Sequence, residues 1–367
     1  MELLKNQGNF KILATWPSAE SNENAQMVLE KAGRTCYQSE KGLITPETSS
    51  IFISKCMKRT HFSVIEHGWR GYDMCFNTVS ELNKCLRYWY PATKFMFFTF
   101  DKFNNYIMKV SANLETWRKL YKKGKLHKTI KEDLQKFAPS IFVSNENVSD
   151  LGLACYVEAI ETIEDLKNDE EIVTHVAHTV QYNNHSRGFT HELVRHRIPV
   201  FSQESTRYVD ESDFRVIIPP QRDEKSKHTP GGKTYSKIDD TRVKLLEYFE
   251  DIGYSLEDWC RLNSEMYRTL RFRGWPAEDA RQVLPTAIAA QIVMTCCLSE
   301  RRYIYFRRTA SAAHWEIRTT MCNELKYMQS LYPDLFKMFV YQDKPARDGV
   351  VGYCDVNELA DFFCDEI

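Results

Sequence analysis

The apolar residues change their spacing along this 367-residue chain, and that change limits the folds open to it. Before about residue 220, short apolar stretches predict strands over 10–14, 68–77, 171–184 and 214–220. The stretch 171–184 alternates with period two, and Pro219 and Pro220 stop the last strand. Helices are expected over 23–37, 45–59 and 150–166, the second opened by Pro46 with Glu47 suiting its N-terminal dipole. Residues 221–237 read as a polar loop. From about 240 the spacing turns helical, over 240–270, 276–284, 286–308 and 314–332. Strands early and helices late favour an α+β fold, an antiparallel sheet packed with a helical bundle, over a doubly wound sheet.

Length and charge narrow the function classes. A prior of about 150 residues per domain allows two domains, or one with a large insertion. The formal net charge is −1, which argues against a protein that coats nucleic acid, so no nucleic-acid partner is expected. Any anion site must then be a local concentration of arginine. No window reaches the roughly 18 apolar residues of a membrane span, and the opening stretch lacks a signal-peptide core, so a cytoplasmic protein without a membrane partner is expected. The eleven cysteines include no CxxC pair and read as reduced, mostly buried thiols.

Metal chemistry is disfavoured by spacing. In "HELVRH" (191–196) the two histidines are five apart, about 140° from one another on a helix, unlike the i, i+4 pair of a zinc protease. His175 and His178 would point to opposite faces of the expected strand. Neither GxxxxGK[ST] nor GxGxxG occurs. The arginines remain. Arg195, Arg197 and Arg207 lie within thirteen residues, beside Ser202, Gln203, Ser205 and Thr206. Guanidinium forks and short hydroxyls suit a phosphate, and Gln203 suits a ring edge. A surface salt-bridge cluster with Glu192, Glu204 and Asp210 is the competing reading, and composition leaves both open. A second group, Arg301, Arg302, Arg307, Arg308 and Arg318, is larger than a helix-dipole role requires.

Taken together, these stretches resemble the flavin-dependent thymidylate synthases of the ThyX type. Arg195-His196-Arg197, Ser205 and Arg207-Tyr208 match that family's signature. "RTCYQS" (34–39), "HFSVIEH" (61–67), "DARQVLP" (279–285) and "RRTASAAHWEIR" (307–318) match further segments in the same order.

The resemblance implies conversion of dUMP to dTMP, with methylenetetrahydrofolate as carbon donor, NADPH as reductant and FAD as bound cofactor. It implies a homotetramer whose active sites lie at subunit interfaces. Ser63, Glu66, Arg195, His196, Arg197, Gln203, Cys297 and Tyr303 fall at positions that contact FAD. Glu192, Leu193, Val194, Arg195, Gln203, Glu204, Ser205, Thr206, Arg207, Arg281 and Arg308 fall at positions that bind dUMP. Arg308, seven residues before Trp315, matches the arginine that polarises the uracil ring; no protein nucleophile or metal is implied. Gln203 stands where many members carry Glu, and Cys297 and Tyr303 where many carry Asn. The whole chain, 1–367, reads as one catalytic domain with an insertion at about 78–170 and a helical extension from about 320. The alternative is a catalytically silent nucleotide- or RNA-binding protein on the same scaffold.

Overall fold

The computed structural model describes residues 2–5, 8–39, 42–101, 106–143, 150–219 and 256–357. In chain order these form β1 (Glu2–Lys5), β2 (Asn9–Trp16), α1 (Ala19–Glu23), α2 (Ala25–Thr35), α3 (Pro46–Lys58), β3 (Trp69–Phe76) and α4 (Val79–Trp89). There follow β4 (Met96–Phe100), β5 (Ile107–Asn113), α5 (Leu114–Lys122), α6 (Lys128–Phe137), β6 (Cys155–Ile160), α7 (Asp169–His175), β7 (Ala177–Ser186) and α8 (Arg187–Leu193). The remainder is β8 (Val200–Gln203), β9 (Arg215–Ile218), α9 (Leu256–Phe272), α10 (Ala277–Ala280), β10 (Ala289–Cys297), α11 (Leu298–Arg308), α12 (Trp315–Leu331), α13 (Pro333–Phe336), β11 (Phe339–Pro345) and β12 (Val351–Val356).

Two antiparallel four-stranded sheets dominate. One has the order β2-β7-β10-β8, the other β4-β5-β3-β6. β1 and β9 add a short parallel pair, and β11 and β12 form a hairpin. The fold is thus α+β. Helices and strands are interleaved throughout, however, and are not sorted into early strands and late helices. The first sheet packs its apolar face, with Val180, Tyr182, Ile292 and Met294, against α12 through Ile317, Met321 and Leu325. The second covers Tyr72, Met74 and Val110 with Trp89 and Trp117. Trp69 Nε1 on β3 donates to the carbonyl of His175 beside β7 at 3.0 Å and ties the sheets together.

Local signals held where they were local. Thr45 caps α3 reciprocally with Thr48, with Pro46 in the first turn, as the stretch 45–59 predicts. Four assignments are corrected. The stretch 150–166 is not helical: 155–160 is a strand whose Val157 and Ile160 are buried while Tyr156 and Glu158 are exposed. The expected strand 171–184 is divided; Asn168 accepts from Glu171 N and opens α7, so the strand starts only at Ala177. The expected helix 286–308 begins as β10, which is buried along nearly its whole length. A central strand covered on both faces loses its alternation and reads as a continuous apolar run. Among the described residues, the chain beyond 320 is helical only to 336 and continues into the β11–β12 hairpin. The expected loop 221–237 and residues 240–255 of the expected helix lie outside the described residues.

Candidate active site

The arginine-rich loop follows α8, and α8 is held firmly at its start. Ser186 accepts from Phe189 N at 3.1 Å, while Glu316 accepts from Ser186 N at 2.7 Å and from its hydroxyl at 2.5 Å. Glu316 is buried, and these donors, with His185 nearby, outweigh burial and hold its carboxyl below the usual range. The turn after Leu193 brings Glu192 and His196 to α11. There Arg308 donates from Nη1 to the Glu192 carboxylate at 2.8 Å and from Nη2 to the Glu192 carbonyl at 2.7 Å. Its Nε donates to His196 Nε2 at 3.1 Å. His196 is buried, with Tyr303 edge-on at 5.8 Å. Burial first, then Arg308 and Arg307, push its imidazole down to about 4, so it is neutral and free to accept.

Arg195 and Arg197 flank His196 on the exposed side, with no ion pair among the described residues. Val194 is also exposed, whereas Leu193 is buried in the core, leaving only its backbone available. A second group forms beyond β8. Arg207 pairs with Glu278 at 3.0 Å, and Arg281 donates to the Glu278 carbonyl at 3.1 Å and to Thr206 Oγ1 at 3.4 Å. Ser205 N donates to the Cys36 carbonyl at 3.1 Å, which joins "RTCYQS" to the loop. Ser63 is exposed and Glu66 half-buried on a 3-10 turn over 62–67. Burial, reinforced by Glu115, raises the Glu66 carboxyl. The turn ends on His67, whose ring bridges Thr295 of β10 and Ser202 of β8, each at 2.9 Å.

Gln203 and Glu204 face different surroundings. Gln203 Nε2 donates to Thr190 Oγ1 of α8 at 2.7 Å. Glu204 is buried, accepts from Gln291 N at 3.2 Å, and its carbonyl accepts from Arg187 at 2.8 Å. Glu211 is buried beside it, at the wall of a cavity of about 300 Å³ also lined by Gln38, Arg215 and Gln291. Burial, and secondly Glu204, push the Glu211 carboxyl up to about 8. The folded protein therefore holds a proton that the unfolded chain releases near pH 4.5, so stability is lost as pH rises from about 4.5 through 8. Glu211→Gln is expected to be more stable than the parent at pH 8.5 and to lose that advantage at pH 4.5, by urea denaturation at both values.

Three sequence expectations change. Cys297 is buried among Trp16, Ala177 and Trp69, with its thiol on Ser299 at 3.1 Å, so its side chain is enclosed by core and faces no open site. Arg301 and Arg318 leave the arginine cluster. Arg301 is buried against Glu324 and the His178 carbonyl, and Arg318 is buried against Asp348 at 2.7 Å and the Gly352 carbonyl at 3.0 Å. They brace α12 and the hairpin. His175, too, lies at the end of a helix, and not on a strand with His178. Among the described residues, no His, Cys, Asp and Glu cluster could hold a metal. Sequence reading missed Glu278, Thr190 and Glu211. Only Glu278 had a local signal, three residues before Arg281.

Comparison with known proteins identifies the family. The family described as thymidylate synthase complementing protein matches residues 112–334. A flavin-dependent thymidylate synthase of Nitratidesulfovibrio vulgaris is 33% identical over 187 residues, 51% of this chain and 67% of that protein. One of Clostridium tetani is 32% identical over 168 residues, 46% of this chain and 64% of that protein. The chain thus spans about two thirds of the length of these relatives. The crystal structure of a UMP/dUMP methylase from Streptomyces cacaoi covers 92% of this chain and 96% of its own at 13% identity, with a TM-score of 0.38, too loose an overlap to carry weight. The matched residues include the Arg195–Arg197 loop, its partner Arg308 and the Arg207–Arg281 group, and this chain belongs to the thymidylate synthase complementing protein family.

Proposed function

We propose that this chain is a flavin-dependent thymidylate synthase, methylating dUMP to dTMP with methylenetetrahydrofolate as carbon donor and NADPH as reductant through FAD. The observation that carries the reading is Arg308, held on both sides by Glu192 and His196 at the edge of the Arg195–Arg197 loop. A guanidinium fixed in this way is preorganised to stabilise negative charge on a uracil carbonyl and ring nitrogen as the ring carbon becomes electron-rich. Glu192 keeps that guanidinium oriented until the ring takes over its donors. Neutral His196 holds the Nε side without competing as a cation. Arg207, whose carboxylate partner Glu278 is half-exposed, and Arg281 receive the substrate phosphate, with Ser205 and Thr206 adding hydroxyls.

FAD fits the exposed guanidinium groups of Arg195 and Arg197, whose charge is uncommitted among the described residues and whose forks match a pyrophosphate. Ser63, Glu66 and Tyr303 would complete its contacts, whereas enclosed Cys297 would not. When bound, the flavin supplies the reducing equivalents. The reading includes a homotetramer with shared sites, a cytoplasmic location and an inserted segment at about 78–170 within one catalytic domain. No helix among the described residues is long and apolar enough to cross a membrane.

The purified protein is expected to be yellow, to bleach on adding NADPH, and to form dTMP only when dUMP, methylenetetrahydrofolate and NADPH are all present. A colourless protein that takes up no FAD refutes the reading. Nucleotide binding without turnover would favour a silent binding protein on this scaffold.

A further inference from the structure

A second cationic group lies on other elements than the Arg195–Arg308 group, on the segment that precedes and includes the start of the family match. Residues 116–131 carry seven Lys or Arg and no Asp or Glu, in a chain whose net charge is −1. Part of that charge is spent inside the protein: Arg118 is buried on Glu115 at 2.5 Å. Lys119, Lys123 and Lys125 instead rim a small cavity of about 70 Å³, floored by Leu120 and walled by Tyr88 and Phe95. Lys119 reaches Glu115 at 3.5 Å, while Lys123 and Lys125 meet no carboxylate among the described residues. Tyr88 and Phe95 are 40% and 43% exposed at its mouth. Each faces ammonium groups: Lys125 Nζ lies 5.5 Å from the Tyr88 ring centre, and Lys94 and Lys119 lie 5.3 and 6.0 Å from that of Phe95.

This arrangement has the two halves of a nucleotide's chemistry. Exposed ring faces stack on a base, and unpaired ammonium groups within reach attract its phosphates. Tyr88 stands on α4 and Phe95 on the 3-10 turn that follows it over 90–95, and Trp89 Nε1 donates to the Lys125 carbonyl at 2.7 Å, which locks the turn that presents Lys123 and Lys125. The cavity is too small to enclose a ligand, so the base lies across its mouth. A solvated basic face would need neither a cavity nor aromatic walls. We propose that the cleft between α4 and α5 is a second nucleotide site, taking a single-ring nucleoside polyphosphate. Lys119 also faces Glu66, so separation from the expected flavin site is part of the test.

The experiment is calorimetric titration of the full chain with UTP, with inorganic triphosphate, with uridine and with an eight-residue thymidine oligonucleotide, each with the candidate active site saturated with dUMP. UTP is expected to bind, and Lys123→Glu/Lys125→Glu to weaken it at least ten-fold, with Tyr88→Ala weakening it several-fold. Both variants should retain the parent's yellow colour and dTMP formation. Uridine should bind weakly if at all, and triphosphate at least ten-fold more weakly than UTP. Four outcomes overturn the proposal. They are equal binding of triphosphate and UTP, binding of the oligonucleotide but not UTP, no effect of the lysine reversals, and loss of flavin in those variants with the fold intact.

Discussion

Arg308→Ala is expected to lower kcat/KM for dTMP formation by about 10²–10³-fold, the range found when one donor to a developing anion is removed, or about 2.7–4 kcal/mol. The guanidinium makes three hydrogen bonds, and two of them end on Glu192. Truncation removes the planar donors that α11 fixes against Glu192 and His196. The fold should tolerate it. The Arg308 and Glu192 side chains keep 19% and 33% of their exposure, so the released carboxylate turns to solvent and the stability change stays within about 1 kcal/mol. Arg308→Lys keeps the charge and loses the fork, and should recover only part of the rate. The decisive comparison is steady-state kinetics beside urea denaturation. Activity within ten-fold of the parent, in a variant with an unchanged urea midpoint, would remove Arg308 from the proposed mechanism.

The largest stability effect is expected at another arginine of the same helix. Arg301 and Glu324 are both fully buried and paired, and Arg301 also donates to the His178 carbonyl at 3.0 Å while Glu324 accepts from Tyr182 at 2.7 Å. Removing one partner leaves a charge buried without compensation. Arg301→Met is therefore expected to cost about 3–5 kcal/mol. Replacing both, as Arg301→Met with Glu324→Leu, removes the uncompensated charge and should cost less than the single change. A double-mutant cycle in urea measures this directly. A double variant that loses as much as the two single variants summed would show that the ion pair is not the coupled unit described here.

These two arginines show where sequence reading stopped. They stand seven residues apart in one helix, and nothing local separates a structural guanidinium from a functional one. The distance from Trp315 and the family resemblance single out Arg308. Sequence alone does not separate Arg301 from it, because its partner Glu324 is 23 residues further on and meets it only when α11 packs on α12.

What the sequence determined by itself was carried by short-range physics. Thr45 and Pro46 set the start of a helix, and the triple Arg195-His196-Arg197 marked the cationic loop. What only the tertiary structure decided depended on burial from both sides and on distant partners. β10 reads as a helix until β7, β8 and the covering helices remove its alternation. Cys297 looks like a site residue until Trp16 and Trp69 close over it. Glu204 and Gln203 differ by one position, yet strand pairing turns one toward Gln291 and the other toward Thr190. Neighbouring side chains on a strand point to opposite faces, and only the assembled sheet decides which face is core and which is site.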